Sequence, residues 1–571
     1  MKRIHFTLFL LVIISISICG QNKPPYLTKQ GTATQLIVNN DPFLILGGEL
    51  GNSSASSAED IERIFPKLQQ MELNTVLVPA YWDLIEPVEG QYDFSLIDKV
   101  VSQARSNNLK VVFLWFGAWK NSMSCYAPLW FKKDNKKYLR AYTKAGKPLE
   151  IASSFSDHVC QADNRAFAEL MKHIAVIDSQ EHTVIMIQIE NEIGMLEDAR
   201  DYSREATALF NAPVPEKLID YLNKNKKALH PWILEKWESQ GFKTKGNWQE
   251  VFGDDLYTDE IFMAWSYAGY VEKLAQTARS IHNVPLFVNA AMNSRGRKPG
   301  EYPSAGPLAH LIDVWHCGAP NIDILAPDLY DKGFVDWVAQ YKLPNNPLFI
   351  PEIRLSDNNG VQAFYVFGEH DAIGYCPFSI ENGSDSPQAP TVQAYSKLKE
   401  LMPLLTKYQG RGVMNGLHFD RENKERILTY DDLKITCRHY FTLPWDSRAT
   451  DGSEWPESGG IILKLAKDEY LIAGSGIVIE FQKGGESELI TAKDLGEDGF
   501  VNVGGKVQKQ DSSWKGTTRA GIGTVDEVKV NKDGTFTYIR RLNGDQTHQG
   551  RHVRIPVDEF SVLHVRLYEY R

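Results

Sequence analysis

Cysteine is scarce in this chain: there are six among 571 residues, and no two are spaced like metal ligands or a redox pair. A disulfide-built scaffold and a cysteine zinc site are therefore excluded, although Cys125 and Cys160 would form one isolated pair if the fold brought them together. The 14 histidines are dispersed and no His-Glu-x-x-His occurs, so no metal site is expected. Positive charge is also short. Lys and Arg number 62 against 72 Asp and Glu, a net charge of −10, which denies the chain the basic field that phosphate neutralisation needs and argues against a nucleic-acid partner. No glycine-rich phosphate loop follows the first strand-like run.

The N-terminus carries Lys2 and Arg3, then the apolar stretch Phe6 to Ile18, then Cys19-Gly20-Gln21-Asn22. Residues 1–20 read as an export signal, too short for a stable membrane span. Cys19 stands where a bacterial lipoprotein signal places its acylated cysteine, although Ile18 before it is bulkier than usual. The expectation is an exported protein, either periplasmic, secreted or tethered to the outer surface through Cys19.

Hydrophobic content of 43% and charged content of 23% belong to a globular chain, and its length suggests two or three domains. After a polar leader through Gln30, eight apolar runs recur: Phe43 to Gly48, Thr75 to Ala80, Lys110 to Phe116, Thr183 to Ile189, Pro285 to Ala290, Ile322 to Ala326, Leu348 to Pro351 and Ala372 to Phe378. Between them lie segments with apolar residues at helical spacing, such as Ala58 to Met71 and Asn164 to Ile177. Eight alternations of strand and helix predict a closed (β/α)8 barrel over residues 31–410, with a helix from Thr391 to Tyr408 closing it. The charged insertion Leu196 to Trp248, between the fourth and fifth strands, would shape the site's edge or an oligomeric interface. Beyond Gly410 the texture changes to short alternating strands, including Arg426 to Tyr430, Gly460 to Lys464 and Ser561 to Leu567, which predict an all-β, sandwich-like domain over 411–571. It either binds carbohydrate or packs on the barrel as a stabilising partner.

The fourth run ends abruptly in Glu190-Asn191-Glu192, and the seventh delivers Glu352. Barrel enzymes carry their chemistry at the C-terminal ends of strands, and strands four and seven face each other across the ring. Two carboxylates so placed meet the requirement of glycosidic bond cleavage, with Glu192 as acid/base and Glu352 as nucleophile. Glu192 must hold its proton near neutral pH, which burial and the charges of Glu190 and Glu352 would promote. Asn191 is placed to hold a sugar 2-hydroxyl. Strand alternation puts Glu190 on the side of Glu192, where it binds a sugar hydroxyl, raises the pKa of Glu192, or pairs with a base at the barrel mouth. The same alternation would turn Arg354 toward Glu352. Tyr330 follows the sixth strand, and Trp119 and Asn121 follow the third, where they contact substrate or pack the loop. Glu49, Glu381 and Asn382 are further rim positions, and Trp82 is expected to pack beneath the pocket.

These motifs resemble those of the clan A glycoside hydrolases, and more narrowly the β-galactosidases of families 35 and 42. Gln188-Ile-Glu-Asn-Glu-Ile-Gly194 is similar to the family 35 acid/base pattern, Tyr81 to Phe94 to its second-strand motif, and Pro347 to Glu352 to its nucleophile strand. The resemblance covers roughly residues 35 to 400. It implies a retaining exo-β-glycosidase acting on an oligo- or polysaccharide without a cofactor, most simply a β-D-galactosidase working through a covalent glycosyl-enzyme, and it implies that Tyr330 donates to the nucleophile. Pro79 and Gly117-Ala-Trp-Lys-Asn-Ser122 depart from the family, which has a tyrosine at the first position and an Ala-Glu-Trp grip on galactose at the second. A divergent subgroup fits these departures, and so does the same mechanism on an arabinopyranoside, glucuronide or mannoside. A catalytically silent, surface-anchored carbohydrate-binding protein is the alternative from another class.

Overall fold

The computed structural model describes residues 23–293, 296–443, 445–484 and 518–571; the export leader and Cys19 lie outside them. Eight parallel strands close into a barrel: β1 (Ile45–Glu49), β2 (Thr75–Tyr81), β3 (Lys110–Lys120), β4 (Val184–Asn191), β5 (Leu286–Ala291), β6 (Ile324–Leu329), β7 (Phe349–Ile353) and β8 (Gly374–Pro377). Each of the eight apolar runs supplies one strand. Their near-continuous burial follows from parallel pairing, because helices cover the outer face while side chains fill the interior.

The helices form for local reasons. Ser57 caps the helix Ala58–Gln70 by accepting from the Asp60 N–H at 3.2 Å, Glu59 and Asp60 sit in the positive first turn, and Ile61, Ile64, Phe65 and Leu68 form the buried stripe. Helix Asp157–Ile177 starts seven residues before the periodicity alone suggests, with Ser156 as its cap. The insertion after β4 carries the helices Arg204–Phe210, Glu216–Asn225, Pro231–Glu238 and Trp248–Phe252, and Pro390–Tyr408 is the last helix of the barrel. Before β1, the segment expected to be a leader is instead a strand: Tyr26–Gln30 pairs antiparallel with Ala33–Val38. Cys125 and Cys160 are both free thiols, so no disulfide joins them.

From Met414 the chain forms two antiparallel sheets. One has six strands in the order 414–419, 458–466, 469–475, 561–570, 519–530 and 536–541; the other has four, 425–430, 433–439, 477–483 and 553–555. Alternation along the strands explains the docking. Ile462 and Ile472 face a core shared with Ile435 and Ile479 of the smaller sheet, whereas Ile461, Leu463, Leu471 and Ala473 face the barrel and join its core. Helix Asn359–His370, which follows β7, packs on this face. At Gly368 a Cβ would stand 2.7 Å from Ile461 and 2.9 Å from the Gly416 Cα, so glycine permits the close approach.

Arg426 fastens the junction from the small sheet. Its two terminal nitrogens donate to the Glu369 carboxylate at 2.9 and 2.8 Å, and one also donates to the Gly416 carbonyl at 2.8 Å. Arg426→Ala strips a forked, charge-assisted contact, and is expected to cost roughly 1–3 kcal/mol. Urea unfolding monitored at neutral pH checks this; a midpoint equal to that of the unchanged protein contradicts it.

Candidate active site

The C-terminal ends of β4 and β7 bring Glu192 and Glu352 together. One carboxylate oxygen of each and one of Asp328, which pairs across the sheet with Glu352, lie within 4.8 Å of one another. Glu192 and Glu352 are each 4% exposed, so both carboxyls are almost wholly buried at the strand ends. A fourth carboxyl, Glu49 at the tip of β1, is fully buried, and neither of its oxygens has a hydrogen-bond donor among the described residues.

Crowding of acids decides the electrostatics. Burial, then the charge of Glu352, pushes the Glu192 carboxyl up to about 7, against the opposing pull of Lys120. Burial, with Glu352 next, also raises Glu49 and Asp328 well above the usual carboxylate range. Raised in this way, Glu49 and Asp328 hold their protons more tightly than exposed carboxyls do, which lessens the negative charge crowded around the pair.

Lys120, at the end of β3, is the buried cation in this group. It is 4% exposed and donates to the Asn191 side-chain oxygen at 2.8 Å. Burial works against its ammonium, yet Glu352, Glu192, Glu49 and Asp328 together hold its pKa above the ordinary lysine value. Lys120→Met removes the one contribution that lowers the Glu192 pKa by charge. The alkaline limb of kcat/KM is then expected to move upward by about one to two units. A pH–rate profile with an unmoved limb contradicts it.

The backbone around Glu192 is unusual. Glu190, Glu192, Asn121 and Ser122 all have positive φ, at 58°, 45°, 49° and 68°. Such strain persists only where neighbours over-determine it. Here the Glu192 N–H donates to the Asn289 Oδ1 at 2.9 Å, the Asn289 Nδ2 donates to Asp328 at 2.6 Å, and the N–H groups of Asn121 and Ser122 donate at 3.2 Å to the carbonyls of Asn191 and Glu192. Residues 117–120, which read as loop, extend β3 and bring Lys120 level with Asn191.

The predicted site residues divide. Asn121 donates through Nδ2 to the Glu192 carboxylate, and the Tyr330 hydroxyl donates to the Glu352 carboxylate. Burial and the Glu352 charge raise the Tyr330 phenol far above its normal value, so it keeps the proton it donates. Asn191 is buried with its oxygen on Lys120, and its Nδ2 has no hydrogen-bond partner among the described residues. The other Glu352 oxygen, Oε2, has no hydrogen-bond partner among the described residues.

Glu190 and Trp119 lie elsewhere. Glu190 is fully buried below the pocket, where one oxygen accepts from the Trp119 N–H at 2.8 Å and the carboxyl faces Asp163, itself held by Trp115 at 2.8 Å and Tyr270 at 2.6 Å. Burial, then the Asp163 charge, raises Glu190 well above its usual range. It pairs with an acid, not a base, and is not among the groups that raise Glu192. The left-handed turns at 190 and 192 break the alternation that would have put both on one side. The Trp119 ring is fully buried, edge-on to Tyr267 and Tyr270, so it packs under the site instead of meeting substrate. Gly117 makes room for this layer: a Cβ there would lie 2.3 Å from the Trp115 indole nitrogen and 2.8 Å from both Asp163 and Glu190.

Arg354 also departs from expectation. It donates to the Tyr330 carbonyl at 3.1 and 2.9 Å and does not turn toward Glu352, because β7 ends at Ile353. Glu381 accepts from Ser54 at 2.5 Å and from the Gly51 N–H at 3.0 Å, holding the β1 and β8 ends together. Trp82 is fully buried beside Trp115, Trp130 and Phe131. The sequence reading missed Lys120, Asn289 and Asp328, although each is a polar residue at a strand tip, the same signal that singled out Glu192.

A closed eight-stranded barrel whose fourth strand ends in Asn-Glu and whose seventh presents a facing Glu is the architecture of the barrel glycoside hydrolases. Residues 52–258, which include Glu192, match the model of glycoside hydrolase family 42, described as beta-galactosidase. Residues 391–554 match a domain of unknown function (DUF5597). A curated beta-galactosidase of Xanthomonas manihotis is 25% identical over 187 residues, which are 31% of this chain and 28% of that protein. The chain thus spans less than a third of the length of the curated relative it matches. Among solved structures, a polyextremophilic beta-galactosidase from Halorubrum lacusprofundi aligns with a TM-score of 0.43 at 15% identity, covering 62% of this chain and 58% of that one. The beta-galactosidase of Bacillus circulans sp. alkalophilus aligns at 0.42 and 12%, covering 63% and 56%.

Proposed function

We propose that the protein is a retaining exo-β-glycosidase that releases terminal β-galactosyl units through a covalent glycosyl-enzyme. The observation that carries the reading is the spacing of Glu192 and Glu352. Carboxylate oxygens within 4.8 Å suit direct attack by one carboxylate, whereas inverting enzymes hold theirs about 6.5–9.5 Å apart to admit a water. In this reading Glu352 attacks the anomeric carbon while Tyr330 steadies it. Glu192, protonated below about pH 7, gives its proton to the leaving oxygen, then takes one from the water that releases the sugar. Asn191 holds the 2-hydroxyl through its unpartnered Nδ2. The galactosyl preference is supported by the family 42 match. The leader in residues 1–20 supports an exported location, with Cys19 as the tether if it is acylated.

The test is hydrolysis of a panel of nitrophenyl glycosides with the anomeric configuration of the first product followed by NMR. Release of β-galactose as the first-formed anomer is expected. Cleavage of arabinopyranoside, glucuronide or mannoside in its place would move the sugar and keep the mechanism; binding with no cleavage of any β-glycoside would end the enzyme reading.

A further inference from the structure

Beside the catalytic pocket, between the β6 and β7 loops of the barrel and the C-terminal β domain, lies a cavity of about 1090 Å³. Ligand sites commonly run to about 300–1,000 Å³, so this one has room for more than one sugar ring. Its barrel wall includes Tyr330 and Arg354, and its far wall includes Arg421 and Trp455 of the C-terminal domain. Tyr330 is common to both spaces: it lines the cavity, and its hydroxyl reaches Glu352 on the other side. Arg354 holds Tyr330 in place by donating to its carbonyl.

The lining chemistry is that of a sugar site. Tyr330, Phe334 and Trp455 give the wall aromatic surface of the kind that pyranose C–H faces pack on, with Arg354 lying over the Tyr330 ring and Arg421 over the Trp455 ring. The Trp455 indole N–H is already spent on the Arg448 carbonyl at 2.9 Å, and its ring packs against His439 and Phe441, which sets its position. Carboxylates line the cavity as well: Glu369 is held by Arg426 and Glu457 by Gln362 and His418, while Asp336, Glu422 and Glu454 add acceptors of the kind that hydroxyls donate to. The cavity is lined by eight Asp and Glu against four Lys and Arg, a balance that opposes acidic or sulfated sugars and suits neutral ones.

Resting on the glycosidase reading above, we propose that this cleft is a second saccharide subsite, completed by the C-terminal β domain. It takes neutral sugar units of an oligosaccharide whose terminal residue is cleaved at Glu352. The domain then selects chain length, and the barrel alone would act on short glycosides with little discrimination.

Two variants of the full chain test this from opposite directions: Trp455→Ala removes a face, and Ser356→Trp fills the cavity from the barrel side. For each, the ratio of kcat/KM on a β-galactosyl oligosaccharide to kcat/KM on a nitrophenyl β-galactoside is expected to fall about tenfold. An unchanged ratio in a folded Ser356→Trp protein overturns the proposal even if Trp455→Ala fails to fold. If the unaltered protein cleaves neither substrate, the galactosidase reading has failed and the cleft is judged by calorimetric binding of the neutral oligosaccharide. Binding weakened by Ser356→Trp supports the subsite. Equal binding, or none, overturns it.

Discussion

Glu352→Gln is expected to lower kcat on a nitrophenyl β-galactoside by about 10⁴–10⁶-fold, the scale on which removing a covalent nucleophile acts. The amide keeps the shape of the side chain and still accepts from Tyr330, so the fold and the pocket are retained while the attacking oxygen loses its charge. The loss should appear in kcat with little change in KM, because the nucleophile's bond forms only on the way to the transition state. An activated 2-deoxy-2-fluoro-glycoside, which slows release of the intermediate, should label the peptide that contains Glu352 in the unaltered protein and leave Glu352→Gln unlabelled. A kcat within tenfold of the unaltered enzyme, or a label on Asp328 or Glu49, would transfer the nucleophile's role to another member of the cluster.

Much of this arrangement is legible in the amino-acid sequence. Each barrel strand is a short apolar run bounded by polar segments, and a parallel sheet leaves that signature strongly because both faces are buried. Glu192 and Glu352 stood out because each ends such a run. Orientation was less legible. Alternation assumes extended backbone, and the left-handed residues at 190 and 192 turn Glu190 downward to Asp163. Arg354 lies one residue past the end of β7, where alternation no longer applies. Lys120, Asn289 and Asp328 gain meaning only once the barrel closes and their strand tips converge. Strand Tyr26–Gln30 was hidden for the opposite reason: its residues are exposed or half-buried, with no apolar stripe to mark them.

Glu192→Gln separates the acid/base from a bystander by three measurements. On oligosaccharides, whose leaving oxygen needs a proton, kcat should fall about 10²–10⁴-fold, the usual worth of general acid–base catalysis. On nitrophenyl glycosides the first step needs little help and the second lacks its base, so azide, a nucleophile that needs no deprotonation, should restore part of the rate and yield a glycosyl azide of retained configuration. The alkaline limb near pH 7 should vanish with the group that titrates there. Stability should move the other way. Burial and Glu352 raise this carboxyl from 4.5 to about 7 in the folded protein. Below the unfolded value the group is protonated in both states and its contribution is intact. As pH rises through the folded value, the unfolded chain has already ionised and that stability is lost. Gln cannot ionise, so at about pH 8 the variant should be more stable than the unaltered protein by on the order of 2–3 kcal/mol, with the difference closing at about pH 4. Denaturant titrations at the two pH values decide it: a variant less stable at both would mean that Glu192 is held in its site by favourable contacts, and a carboxylate so held would be a poor acid for the leaving group.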